Sequence, residues 1–383
     1  MKISDIADII NLSEKDPANS DIDVFVGLEH YDIAEPVIKR FGSTKMLSTA
    51  AKKFEAGDVL IARRNVYLQR ASVAKFSGLT SGDSIILRVK KELHTEETDC
   101  DTMCQLLPFI LNSINFWDYA NTNADGTMSK RLSPAMLQEY EFSLPSLAEQ
   151  KVLAEKLWAA YEVKQSYLKM IEATEEMVKS QFIEMFGKVD SDRLLLSDIA
   201  DVSSGLTKNS QRVSFELKMP YLRVANVFYN KLELDDIQEI GVRPQEIEKT
   251  KLQENDLLFV EGNGSPQEIG RVAIWDGSIN PILHQNHIIK ARLKISSFSP
   301  AFLMYFFMYG QGRSQIVRKA ASSSGLYTLS LNKIASLQVP AVELEFQQQF
   351  VSIAHQADKS ISELRKSIDA INKVIKSLIN ENL

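Results

Sequence analysis

The sequence predicts an α+β protein built as a tandem repeat, with two similar mixed α/β units that are each followed by one long helix. Three observations carry this expectation. Short patterns recur in the same order at nearly one spacing. Each half holds β-rich runs punctuated by Gly, Asn, Asp and Ser. Each half ends in a proline-free stretch with coiled-coil spacing.

The recurrence comes first. "SDIAD" stands at Ser4–Asp8 and returns unchanged at Ser197–Asp201, 193 residues later. "FEAGDVLIAR" (54–63) resembles "LQENDLLFVE" (252–261), with Asp58 and Asp256 198 residues apart. "FSLPSL" (142–147) resembles "LQVPAV" (337–342), with Pro145 and Pro340 195 residues apart. Two copies make a pseudo-twofold object rather than a solenoid. A chain of 383 residues has room for two such units at roughly 100–200 residues each.

Within each unit the expected strands lie in "DVLIARRNVYL", "DSIILRVK", "DLLFVEG", "GRVAIW" and "HIIKARLK". An apolar helical patch follows, at 106–117 and again at 300–309. Then come a proline and the long helix. In the second helix Phe350, Ala354, Ala357, Ile361, Leu364, Ile368, Ile371, Ile375 and Leu378 form an unbroken seam in steps of three and four. In the first, Leu153, Leu157, Ala160, Lys164, Tyr167, Ile171, Thr174, Val178, Gln181 and Met185 follow the same steps, interrupted by Lys164, Thr174 and Gln181. Pro145 and Pro340 sit before or at the first turn, where a missing N–H costs nothing. The expected spans are 1–144 and 188–339 for the heads, and 145–187 and 340–383 for the helices. Each seam needs a partner. The other helix of the same chain would serve, giving a rod of ~38 residues and roughly 57 Å; dimerisation with a second chain is the other solution.

Bulk composition sets limits. Hydrophobic residues make up 44% and charged residues 25%, as in an ordinary globular protein. The net charge of −6 is unlike a general polyanion binder, although a local basic face is compatible with it. Cys100 and Cys104 are too few for a zinc set and read as free thiols. The amino terminus lacks an apolar core of signal-peptide length, and "FLMYFFMYG" (302–310) is too short to span a bilayer. No membrane association and a cytoplasmic location are expected.

Catalytic motifs are missing. There is no phosphate loop, dinucleotide-binding glycine pattern, zinc-protease helix or nucleophile elbow. No Asn-Pro-Pro-aromatic run of amino-methyltransferases occurs. His284 and His287 fall on a strand-like run, which places them on opposite faces and not around a metal. A noncatalytic protein without metal or cofactor is expected.

Two matched heads on a rod suit a ligand with two spaced sites, and DNA repeats its half-sites at one turn or multiples of it. The candidate contact residues are Arg63, Arg64, Arg70, Lys75, Lys130 and Arg131 in the first head. In the second they are Arg223, Asn226, Asn263, Gln267, Arg271, Arg318, Lys319 and Tyr327. Arginine suits guanine edges, and Asn or Gln suits adenine; lysine more often positions on phosphate. "GNGSPQEIGR" (262–271) and "VRKAASSSGLY" (317–327) stand out as groups, since each joins small flexible residues to amide or basic ones. A scaffold whose duplicated heads bind protein is the alternative.

The residues also resemble a known family. "LPSLAEQKVLAEKL" (144–157) and "KSQFIEMFG" (179–187) are similar to the central segment of the specificity subunits of type I restriction-modification systems. "NDLLFVEGNGSPQEIGRVAIW" (255–275) and "SGLYTLSLNKIASLQVP" (324–340) resemble parts of their target recognition domains. The resemblance implies two target recognition domains, each reading half of a bipartite, asymmetric site on double-stranded DNA. Two long antiparallel helices forming an intramolecular coiled coil would set the unspecified spacer. They would also carry the methyltransferase subunits, two of them, joined by restriction-translocase subunits. S-adenosylmethionine, ATP and Mg would belong to those partners alone. The second copy needs about two extra residues to bring Gln347 after Pro340 into line with Gln150 after Pro145.

Overall fold

The computed structural model describes the chain apart from residues 128, 190, 264, 266 and 321–326, and the side chain of Asn263. It divides into two compact units, residues 1–169 with 364–383, and residues 170–363. Each unit therefore holds one head and a part of both long helices.

In the first unit β1 (Ala7–Ile10), β2 (Val59–Ala62), β3 (Ala71–Val73) and β4 (Ser84–Val89) form an antiparallel sheet in the order β1-β4-β2-β3. A five-stranded sheet that includes Ala51–Phe54, Gly78–Thr80 and Val24–Val26 completes the head. The helical patch is two helices, α1 (Cys100–Ile110) and α2 (Ile114–Asn123). Ser113 divides the predicted helical patch by capping α2, with its Oγ accepting from Phe116 N–H. The long helix α3 (Leu147–Phe186) follows.

The second unit repeats the plan. Strands β5 (Ala200–Ser204), β6 (Leu257–Val260), β7 (Val272–Ile274) and β8 (Ile288–Leu293) pair antiparallel in the matching order β5-β8-β6-β7. Helices α4 (Pro300–Met308) and α5 (Gly310–Ala320) follow, then α6 (Leu344–Asn382).

The recurring sequences have physical causes. In both copies of "SDIAD" the first Asp turns back to cap the helix start: Asp5 accepts Lys2 N–H at 2.7 Å and Asp198 accepts Leu195 N–H at 3.1 Å. The Ala then opens the strand. In "AGD" and "END" the residue before Asp takes a left-handed turn, at Gly57 (φ 98°) and Asn255 (φ 72°). The Asp is buried and does double duty. Asp58 and Asp256 each accept a backbone N–H three residues upstream, from Glu55 and Gln253 at 2.7 Å. Each also binds an arginine through two bonds. Arg88 reaches Asp58 at 2.7 and 2.8 Å, and Arg292 reaches Asp256 at 2.7 Å twice.

The long helices bury their seams in both units. In the first, Leu153, Leu157 and Tyr161 of α3 share a core with Phe116, Trp117 and, from the far end of α6, Ile379. In the second, Val178, Phe182 and Phe186 of α3 meet Phe350, Ala354 and Ala357 at the near end of α6, and Phe182 and Phe350 rings lie 5.1 Å apart. Start meets end in each case, so α3 and α6 run antiparallel. Lys164, which interrupts the first seam, is answered by Glu35 from the head at 3.4 Å. Gln150 and Gln347 are both fully buried at matching helix starts. Gln150 bonds Thr98, Glu97 O and Pro145 O; Gln347 bonds Ser299 N, Ser297 O and Val342 O. The two extra residues after Pro340 are taken up before Gln347.

Replacing Asp256 by Leu strands the Arg292 guanidinium and should lower the unfolding free energy by about 3 kcal/mol. The double variant Asp256→Leu/Arg292→Met should lose less than the single one. Urea denaturation of the full chain reads both.

Candidate DNA-recognition site

In the first unit β2 is buried along its length, and the chain leaves the sheet at Arg63. The Arg63 N–H donates to Asp83 O at 3.0 Å, and its carbonyl accepts from Leu132 N–H at 2.9 Å. Arg64 bridges Arg131, Asn65 N–H donates to Lys130 O at 2.8 Å, and Ser129 Oγ bonds the Asn65 side chain. The loop after β2 and the segment after α2 thus form one surface. It brings together four predicted residues, Arg63, Arg64, Lys130 and Arg131. Asn65 (φ 53°) and Gln69 (φ 49°) flank a short helical turn in left-handed conformation, a costly geometry typical of ligand-contacting loops.

The other predicted residues of this head have different duties. Arg70 points inward and donates to Leu28 O and Arg64 O, both at 2.9 Å, so it is a strut under the loop. Burial pushes its pKa down. Lys75 lies 5.2 Å over the Trp158 ring on α3. Lys130 donates to Asn121 O at 2.7 Å, while Arg131 is exposed.

Sequence reasoning missed three residues here. Lys52 donates to Ser84 O at 2.9 Å, and its pKa is held down by burial and then by the charge of Arg63. Tyr67 stands 61% exposed at the tip of the loop. Asp83 binds Arg64 at 3.2 Å. Lys52 was detectable as one of the paired lysines in "AKKF"; Tyr67 and Asp83 gave no signal without the fold.

The second unit builds the same piece of backbone. β6 ends at Val260, and the N–H of the next residue, Glu261, donates to His287 O at 2.9 Å while its carbonyl accepts from Leu329 N–H at 2.7 Å. Gly262–Asn263 then pairs antiparallel with Tyr327–Thr328. The two groups singled out in the sequence, 262–271 and 317–327, meet in this ladder. Tyr327 joins through its backbone and packs on the core. Residues 264, 266 and 321–326, and the Asn263 side chain, lie outside the described residues. The loop is fastened from below: Tyr229 and Arg313 donate to Gln267 O at 2.7 and 2.9 Å. Arg271, nearly buried, sits 4.7 Å over the Phe228 ring and donates to Val224 O at 3.2 Å. Arg70 and Arg271 are thus equivalent struts.

Among the remaining residues Gln267 and Arg318 are exposed. Lys319 donates to Ser336 Oγ at 3.0 Å, and Arg223 is paired with Asp236. Asn226 is buried; its amide accepts from Arg223 N–H and donates to Glu233 O, both at 2.8 Å, and presents nothing to solvent. No group of three or more His, Cys, Asp or Glu among the described residues could hold a metal. Cys100 and Cys104 are free thiols. No described helix is long and apolar enough to cross a membrane.

Residues 189–373 match the family model of the type I restriction modification DNA specificity domain. Residues 189–373, a little under half of the chain, thus carry a type I restriction modification DNA specificity domain. A putative type I restriction enzyme specificity subunit of Methanocaldococcus jannaschii is 25% identical over 193 residues, 49% of this chain and 44% of that protein. A type I restriction enzyme specificity subunit of Escherichia coli is 23% identical over 281 residues, 66% of this chain and 59% of that one. The chain thus matches about half the length of these curated family members. The fold is that of a type I restriction-modification S subunit from M. genitalium, with a TM-score of 0.54, 14% identity and coverage of 100% of this chain and 95% of that one. A second solved structure, from work on complex assembly of the type I system, gives a TM-score of 0.52 at 14% identity, covering 100% and 97%.

One buried histidine of the second unit makes stability depend on pH. His284 Nδ1 lies 2.8 Å from Thr250 O, Nε2 has no partner, and burial followed by the charge of Lys290 pushes its pKa down to about 4. The unfolded chain takes up this proton near pH 6.5, where the folded chain refuses it. The contribution is therefore complete above pH 6.5 and is lost as the pH falls toward 4, by up to about 3 kcal/mol. Urea midpoints measured between pH 7 and 4.5 should fall, and a His284→Gln variant should show a flatter profile over that window.

Proposed function

We propose that the chain is the noncatalytic DNA sequence-specificity subunit of a type I restriction-modification system. It reads a bipartite, asymmetric site on double-stranded DNA and assembles two methyltransferase subunits and the restriction-translocase subunits. One observation carries the reading: two copies of the same loop-and-crossing-segment site share their backbone bonds and struts but differ in outward side chains. Such a pair suits two half-sites of different sequence. The family membership of residues 189–373 supports it.

In this reading the first loop contributes Arg63, Arg64, Lys130 and Arg131, and the second contributes Gln267 and Arg318 with its glycine-rich segment. Exposed arginines meet guanine edges or phosphates, and the glutamine meets adenine. The long helices set the unspecified spacer and carry the partners. S-adenosylmethionine, ATP and Mg act on the partner subunits, and the complex works in the cytoplasm. The net charge of −6 fits a protein that shares phosphate neutralisation with its partners. DNA affinity should be weak for the chain alone, tight in the complex, and steeply salt-dependent.

A single-molecule methylome of the source cell, with and without the gene, tests the function. Loss of one adenine mark at a split motif with a fixed gap is the expected result; an unchanged methylome in cells with an active methyltransferase overturns it. Replacing residues 1–144 with another head should change one half of the motif only. Inserting four residues near Thr174 should alter the gap or abolish assembly, and an unchanged gap would remove the helices from the spacing role.

A further inference from the structure

The first residue beyond the central strand is Arg63 in one unit and Glu261 in the other, although both hold the same two backbone bonds. The turn that receives the N–H is inverted as well. In the first unit it carries Asp83, which binds Arg64 Nη1 at 3.2 Å. In the second it carries His287, whose Nδ1 lies 2.7 Å from Glu261 Oε2. The Glu261 and His287 side chains are 30% and 55% exposed, so the pair faces solvent at the base of the reading loop. Lys52 adds positive charge beside Arg63 and widens the contrast.

We infer that this position sets base preference in each half-site. Arg63, with Arg64, directs the first unit toward guanine, and Glu261 directs the second toward the exocyclic amino group of cytosine or adenine. The inference rests on the DNA-specificity reading above. Duplex DNA carries one negative charge per ~1.7 Å of its axis, so a carboxylate beside it is repelled unless it meets a donor. In the major groove the donors are cytosine N4 and adenine N6, whereas guanine offers the acceptors O6 and N7. A glutamate at a loop whose counterpart is arginine therefore changes the demand from acceptor to donor. His287 is a positioning residue: it holds Oε2 and fixes the carboxylate plane.

The test uses the full chain co-expressed with its methyltransferase subunits, and reads the methylated motif by single-molecule sequencing. The wild type, E261Q, E261A, E261R and R63A are compared. Glu261 variants should lose about tenfold or more of their discrimination at one base pair of one half-site. E261R should shift that pair toward guanine, and R63A should relax one pair in the other half-site. E261Q is nearly isosteric, so an unchanged thermal unfolding midpoint separates lost reading from lost folding. Assembled E261A and E261R complexes that keep the wild-type motif with full discrimination overturn the inference and leave the broader function standing. A wild-type complex without a split motif overturns the function itself, and this inference with it.

Discussion

Each long helix carries one apolar stripe that cannot face water, and the architecture follows from covering it. The head of each unit supplies part of the cover and the antiparallel helix the rest. Phe182 and Phe350 are fully buried in the second unit, as Leu157 and Trp117 are in the first. Each such side chain contributes roughly 1.5–3 kcal/mol. Polar ties then fix the register that apolar contact leaves loose. Lys164 reaches Glu35 in one unit; Asp358 on α6 bonds Asn230 and Tyr305 in the other. The acid lies on the head in one copy and on the helix in the other, so the tie is kept while its chemistry is exchanged.

The duplication is therefore more faithful in hydrogen bonding than in sequence. Asp58–Arg88 and Asp256–Arg292, Gln150 and Gln347, and Arg70 and Arg271 do the same work in each copy. All have at least one partner inside the protein whose loss would leave a buried charge or backbone group unsatisfied. Outward groups have no such obligation. Arg63 and Glu261 share a backbone position with opposite charge.

Much of this was legible in the sequence because local chemistry specified it. "SDIAD" is a helix cap running into a strand, "AGD" and "END" are left-handed turns followed by a buried acid, and seam spacing marks the helices. The site was legible in part. Arg63, Arg64, Lys130 and Arg131 converge, and so do the groups 262–271 and 317–327. The duties of Arg70, Arg271 and Asn226 were not readable, because a guanidinium or amide becomes a strut only when distant segments bury it. Leu28 and Val224, the acceptors for the two arginines, lie 42 and 47 residues away. The break at Ser113 was hidden because the apolar pattern runs through it. Glu261 drew no notice and His287 was weighed only as a metal ligand beside His284, because neither suits the basic face expected of a DNA reader.

Each compact unit takes in parts of both helices, and this orders the events of synthesis. The second unit is contiguous, residues 170–363, so every side chain of its core has been translated before the remainder of α6 appears. The first unit takes in residues 1–169 but also needs residues 364–383, among them Ile379 and Leu383 of its core. The head made first is thus completed last. Until then the α3 face that Ile379 and Leu383 help to cover is without that part of its cover on the ribosome, and the second head can close before the first.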